Sequence, residues 1–79
     1  MKFEVGDLVR IKKMTPAERK HPIMHYNLDM HKHEGKIARI YAIDNDEEVD
    51  MWFYRIGFGR ERWCYVEEWV EAPNEFTAF

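Results

Sequence analysis

Paired cysteines and long apolar runs are both missing from this 79-residue sequence. Cys64 is the single cysteine, so the chain cannot close an internal disulfide or assemble a zinc site from several cysteines. No stretch approaches the roughly 20 consecutive apolar residues that a membrane helix needs. Because small secreted domains usually carry paired cysteines, we expect a soluble cytoplasmic protein.

Motifs for catalysis and cofactor binding are also lacking. The sequence has no phosphate-binding glycine loop, no nucleophilic serine motif and no H-E-x-x-H pair. Cys64 stands between Trp63 and Tyr65, where a cysteine is typically a small buried hydrophobic residue and not an activated nucleophile. The acidic run from Asp44 to Asp50 lacks the central glycine and terminal glutamate of a calcium loop. We expect a protein that is not an enzyme and needs no cofactor.

The charge is modest in total but unevenly distributed. The net charge is −3, and it divides into +4 over residues 1–43 and −7 over residues 44–79. In a small domain the two halves interleave, so this asymmetry need not appear on the surface. A strongly basic nucleic-acid-binding domain is therefore not indicated.

Hydrophobic and aromatic residues are abundant, at 46% and 15% of the sequence. This composition is too apolar for a disordered chain and fits one compact domain near the lower size limit for a hydrophobic core. Large aromatic side chains compensate for a short chain, because each ring buries roughly 150–250 Å². We predict one domain over residues 3–73, followed by a C-terminal tail over residues 74–79.

Alternation of apolar and polar residues predicts an all-β fold. Val5, Val9 and Ile11 share one parity of the first strand, and Leu8, on the other parity, is expected to be exposed. Gly6 and Asp7 interrupt this pattern as a tight turn that leads into the strand. The predicted strands cover residues 3–13, 36–44, 51–56, 61–66 and 70–72, with a hairpin loop over 44–48, a turn over 57–60 and a 3₁₀ turn over 67–69.

The long first loop, residues 15–35, is expected to contain one or two short helical turns. Thr15, Pro16 and Glu18 have the spacing of a capping box, and Pro22 limits the helix that follows. Gly35 is suited to ending a second turn. Five short strands with a long first loop, and a single turn before the last strand, predict a small five-stranded SH3-like barrel.

Three segments carry a resemblance to a known group of proteins. They read F-x-V-G-D-x-V-R-I from Phe3, G-K-I-A-R-I from Gly35 and W-x-Y-x-x-E-W-V-E from Trp63, with Tyr26 and Met30 between the first two. Together they resemble small SH3-like barrel proteins of unassigned function from bacteriophages and prophages of Gram-positive bacteria, over residues 3–73. The first segment is similar to the opening strand of KOW-type barrels. The resemblance implies a binding module in the cytoplasm of a bacterial host.

The first loop is rich in histidine. The four histidines of the chain are His21, His25, His31 and His33. Together with Asp29 they could bind zinc, nickel or copper. Pro22, however, interrupts the helix that would align the first pair, and metal sites need rigid support. We therefore interpret the segment as a polar surface loop and predict no metal site.

Aromatic residues exceed what one face of a small barrel can bury. Strand alternation places either Phe53 or the pair Trp52 and Tyr54 on the outside. Exposed aromatic side chains commonly form grooves for peptides or bases. We predict a ligand-binding surface formed by Tyr26, Trp52, Tyr54 and Trp63.

Three functions remain open from the sequence. The first is a protein-interaction module that binds a protein or peptide through the aromatic surface. The alternative is a nucleic-acid-binding barrel, in which basic residues contact phosphates beside stacked bases. Its candidate residues are Arg10, Lys12, Lys13, Lys36 and Arg39. The third is a self-associating structural protein.

Overall fold

The computed structural model describes residues 2–73, which form one antiparallel five-stranded sheet with two short helices in the first loop. The elements are β1 (Leu8–Ile11), α1 (Pro16–Arg19), α2 (Leu28–His31), β2 (Ile37–Asp46), β3 (Met51–Phe58), β4 (Glu61–Val66), a 3₁₀ turn (Glu67–Trp69) and β5 (Val70–Glu71). The strand order is β4-β3-β2-β1-β5, which confirms the predicted all-β class and the five strands. Within the described chain β4 and β5 do not pair with each other, so the sheet is open and the predicted closed barrel is not confirmed.

Strand β2 joins the two halves of the sheet. Its first residues pair with β1, and the residues from Ile40 onward pair with β3. The register shifts between Ile40 and Ala42, which inserts one residue into β2. As a result both Ile40 and Ile43 lie opposite buried residues of β3, although they have different parity along the chain.

The core combines alternate strand residues with side chains from the first loop and the 3₁₀ turn. Met14 and Met30 enter it from the first loop. Its large, fully buried rings are Tyr54, Tyr65 and Trp69. Burying a ring of tryptophan size contributes roughly 4–6 kcal/mol of transfer free energy at about 25 cal/mol per Å². Such rings explain how so short a chain forms a core.

The first loop contains the predicted capping box. The Thr15 hydroxyl accepts a hydrogen bond from the Glu18 backbone N–H at 3.3 Å, and the Glu18 carboxylate accepts one from the Thr15 N–H at 2.9 Å. The second helix, α2, ends earlier than predicted, with Lys32 as its C-cap, and Gly35, with a φ of +87°, ends the turn that follows it. Neither helix of the described chain is long or apolar enough to cross a membrane.

Several boundaries differ from the sequence prediction. Val5 lies in the turn with Gly6 and is exposed, because β1 begins only at Leu8. The hairpin strands are longer than predicted: β2 runs to Asp46 and β3 to Phe58, since cross-strand pairing continues beyond their apolar segments. The fifth strand, β5, is one residue shorter than predicted. The predicted tail, 74–79, lies outside the described residues.

Candidate functional site

One of the four aromatic residues predicted to bind a ligand is fully buried. Tyr54 has no exposed surface, because it lies on the same face of β3 as the core residue Ile56. Its hydroxyl donates to the Glu67 carboxylate at 2.7 Å and accepts from the backbone N–H groups of Lys2 and Phe3. Burial raises the pKa of Tyr54, with the Glu67 hydrogen bond adding to the effect. The prediction that Tyr54 is part of the exposed surface is therefore wrong.

Tyr26 and Trp63 are half-buried and belong to different elements, the first loop and β4. Tyr26 packs edge-on against Trp69, with ring centroids 4.8 Å apart. Trp63 lies in β4 opposite Ile56 and packs against the core. The structure therefore does not bring the four residues together as one exposed cluster.

Glu34 anchors the first loop, although the sequence analysis did not single it out. Arg19 binds its carboxylate through two N–H groups at 2.8 and 2.9 Å, and the Tyr26 hydroxyl donates to it at 2.6 Å. The backbone N–H of Met14 adds a fourth hydrogen bond. The Arg19 contact is the main reason that the pKa of Glu34 falls to about 2. Since these partners come from separate positions, no local motif indicated the role of Glu34.

Trp52 is exposed, with 39% of its surface accessible, and it lies beside a groove of about 310 Å³. Three segments form this groove: the first loop, the start of β3 with the turn before it, and the 3₁₀ turn. We call it the Trp52 groove, and its lining residues are His21, Pro22, Asp50, Met51, Trp52, Glu67 and Glu68.

The Trp52 groove carries three carboxylates, on Asp50, Glu67 and Glu68. The hydrogen bond from the Tyr54 hydroxyl is the main reason that the pKa of Glu67 is lowered. Glu67 is therefore ionised at neutral pH and held in a fixed position. An exposed indole in a groove that is also lined by carboxylates suits a cationic ligand, because the ring face and the carboxylates both attract positive charge.

A second concavity of about 700 Å³ lies between residues 16 and 31. We call it the loop cleft, and residues along its lining include Arg19, Lys20, His21, Ile23, His25 and His31. His21 also lines the Trp52 groove, so the two concavities are neighbours. The His21 Nδ1 atom accepts hydrogen bonds from the backbone N–H groups of residues 23 and 24. This leaves Nε2 to donate towards Glu68, 3.4 Å away.

The histidines do not converge on one point. His33 is buried and stacks on Phe58, with ring centroids 4.0 Å apart, whereas the other three line the loop cleft. In the part of the chain that the structure describes, no group of three or more His, Cys, Asp or Glu residues could hold a metal ion.

The residues predicted to contact nucleic acid are partly brought together. Arg10 lies between the buried Val9 and Ile11 of β1 and therefore on its outer face, and Lys12 directly follows the strand. Arg39 lies on the same outer face, since it is paired with Leu8. Lys36 stands just before β2, and the side chain of Lys13 extends over Gly35.

Cys64 is only partly buried, in contrast to the sequence expectation. It lies in β4 directly opposite the exposed Arg55 of β3, and therefore on the outer face of the sheet.

Comparisons with protein-family models, with curated proteins and with solved structures found no match to this chain. A functional assignment therefore depends on the geometry and charge of the surfaces described above.

Proposed function

We propose that the chain is a small SH3-like module, not an enzyme, that binds a cationic segment of a partner protein in the Trp52 groove. The barrel is supported by the way β2 pairs first with β1 and then with β3, and by the 3₁₀ turn that leads into β5. The sequence resemblance supports a place among the SH3-like proteins of bacteriophages and prophages, in the cytoplasm of a bacterial host.

The exposed Trp52 indole beside three carboxylates is the observation that carries this proposal. A cation over an indole face contributes about 0.5–2 kcal/mol, with more when water is excluded. An arginine or lysine over Trp52 could also pair with Glu67 or Glu68. Because Tyr54 holds Glu67 in place, part of the site is already organised before the ligand binds.

A labelled peptide in which arginine alternates with alanine and proline tests the proposal. We expect its fluorescence anisotropy to rise on titration with the protein, with an affinity on the order of micromolar. A peptide with glutamate in place of arginine should not bind. Substituting Trp52→Ala should weaken binding by about tenfold or more, as for an aromatic residue at the centre of an interface.

Tyr41→Ala is the matched control, since Tyr41 is 41% exposed and lies outside the groove. Its affinity for the arginine peptide should equal that of the wild type. Equal binding of the arginine and glutamate peptides, or equal losses in the two aromatic variants, would contradict the proposal.

A nucleic-acid ligand is the second candidate, favoured by the shared outer face of Arg10 and Arg39, with Lys12 directly after β1. The net charge of −3 and the apolar neighbours Leu8 and Ile37 weigh against it. This candidate predicts that the protein binds a single-stranded oligonucleotide, that the binding weakens as salt is added, and that Arg39→Ala abolishes it. The absence of binding at low salt would remove it.

A further inference from the structure

The Trp52 groove and the loop cleft meet at His21 and differ in charge. The Trp52 groove is lined by three carboxylates. The loop cleft is lined by Arg19 and Lys20 and, among the described residues, by no Asp or Glu. An extended ligand that leaves the groove past His21 would therefore pass from an acidic surface to a basic one.

Two carboxylates contact the lining of the loop cleft: Glu68, of the neighbouring Trp52 groove, lies 3.4 Å from the shared His21, and Glu34 is paired with Arg19. Glu34 is bound by Arg19 and Tyr26, and its side chain is only 9% exposed. The exposed Lys20 thus adds positive charge that Glu34 does not cancel. Charge complementarity then favours a carboxylate of the ligand at this position.

The loop cleft also offers apolar contact. Ile23 is 51% exposed, and Met24 beside it is half-buried. The rings of Tyr26 and His31 pack together at 5.2 Å on the same lining. An aliphatic side chain of the ligand could therefore be buried among these groups.

We propose that the loop cleft binds an acidic stretch with an aliphatic residue, and that this stretch belongs to the same partner segment whose cationic part lies at Trp52. The ligand is then a bipolar peptide, basic at one end and acidic at the other. This inference rests on the proposed function, because it requires the cationic part to occupy the Trp52 groove. Once the cationic part is bound at Trp52, the acidic stretch reaches the loop cleft without a second association step, so even a weak contact there raises the overall affinity.

Bipolar peptides test the inference directly. The arginine peptide is extended by a short linker and a stretch of glutamates that surround one leucine, and both chain orders are measured. At low salt we expect one order to bind at least about tenfold more tightly than the arginine peptide alone. Substituting Lys20→Glu should remove this gain, measured as the ratio of the affinities of the bipolar and the arginine peptides for the same variant. Lys36→Glu, at an exposed lysine outside both concavities, is the matched control and should preserve the gain.

The outcomes separate the two proposals. Failure of the arginine peptide to bind would overturn the proposed function. If that peptide binds but neither bipolar order binds more tightly, or if the gain survives Lys20→Glu, the inference about the loop cleft is wrong. It is also wrong if light scattering shows a mass that grows with concentration and falls in Lys20→Glu, since a second copy of the chain would then occupy the cleft.

Discussion

His33 is the histidine that the fold removes from water, with 3% of its surface exposed. Its ring is stacked almost parallel on Phe58, and Nε2 lies 3.4 Å from a Glu61 carboxylate oxygen. Burial lowers the pKa of His33, and the attraction of Glu61 opposes this shift only in part. The neutral ring thus packs as an aromatic side chain at the edge of the core.

The buried position of His33 predicts that stability falls in mild acid. Above pH 6.5, the ordinary histidine pKa, this residue is neutral in both the native and the unfolded chain. Below it the unfolded chain takes up the proton more readily, so the free energy of unfolding decreases as pH falls towards the lower native pKa. We expect urea denaturation to show this decrease as the pH is lowered below 6.5.

Two histidine substitutions test whether His33 causes this loss of stability. His33→Gln should flatten the pH dependence just below pH 6.5, whatever its stability at neutral pH, and His25→Gln, at an exposed position, should leave it unchanged. The ion pair of Glu34 does not interfere, because its stabilisation is lost only as pH falls from 4.5 to about 2. The same slope in the wild type and His33→Gln would contradict this explanation.

At the scale of the elements, Gly35 connects the first loop to β2. Its φ of +87° is unfavourable for any residue with a Cβ atom, and its N–H donates to the Ile11 carbonyl at 2.7 Å. A Cβ atom there would lie 2.8 Å from the flexible end of the Lys13 side chain, which can move. We therefore expect Gly35→Ala to lower the free energy of unfolding by about 1–2 kcal/mol through backbone strain.

Gly57→Ala is the comparison within the same fold. Gly57 lies inside β3, where a Cβ atom would meet Tyr41 at an ordinary 3.8 Å. Its effect in urea denaturation should stay within about 0.5 kcal/mol or be slightly stabilising. Equal losses in the two variants would show that the glycine content in general, and not the backbone conformation at residue 35, limits stability.

The elements with local signals were predictable from the sequence. The capping box at Thr15, the extent of β4 and the 3₁₀ turn depend on neighbouring residues alone. The inward face of β3 was not predictable, because large side chains occupy both parities of that strand. The burial of Tyr54 and Trp69 depends instead on packing between elements distant in the chain.

At the scale of the whole molecule, the Trp52 groove and the loop cleft retain the charge asymmetry of the sequence. The carboxylates of the Trp52 groove come from positions 50, 67 and 68, and the cations of the loop cleft from positions 19 and 20. Trp52 itself was a sequence candidate, but its acidic neighbours were not. Three separate segments supply the groove, so only the fold brings them together.

The acidic Trp52 groove predicts that salt slows the binding of a cationic peptide. Long-range attraction increases the encounter rate, and it is screened beyond about 10 Å at 0.1 M salt and about 3 Å at 1 M. In stopped-flow measurements we expect the association rate constant of the arginine peptide to fall roughly tenfold across that range, with a smaller change in the dissociation rate. Glu68→Gln should reduce this salt dependence, because it removes an exposed charge from the groove. Asp29→Asn, which removes an equal charge from α2, should leave the salt dependence unchanged. Equal slopes in both variants would show that net charge, and not the groove, attracts the ligand.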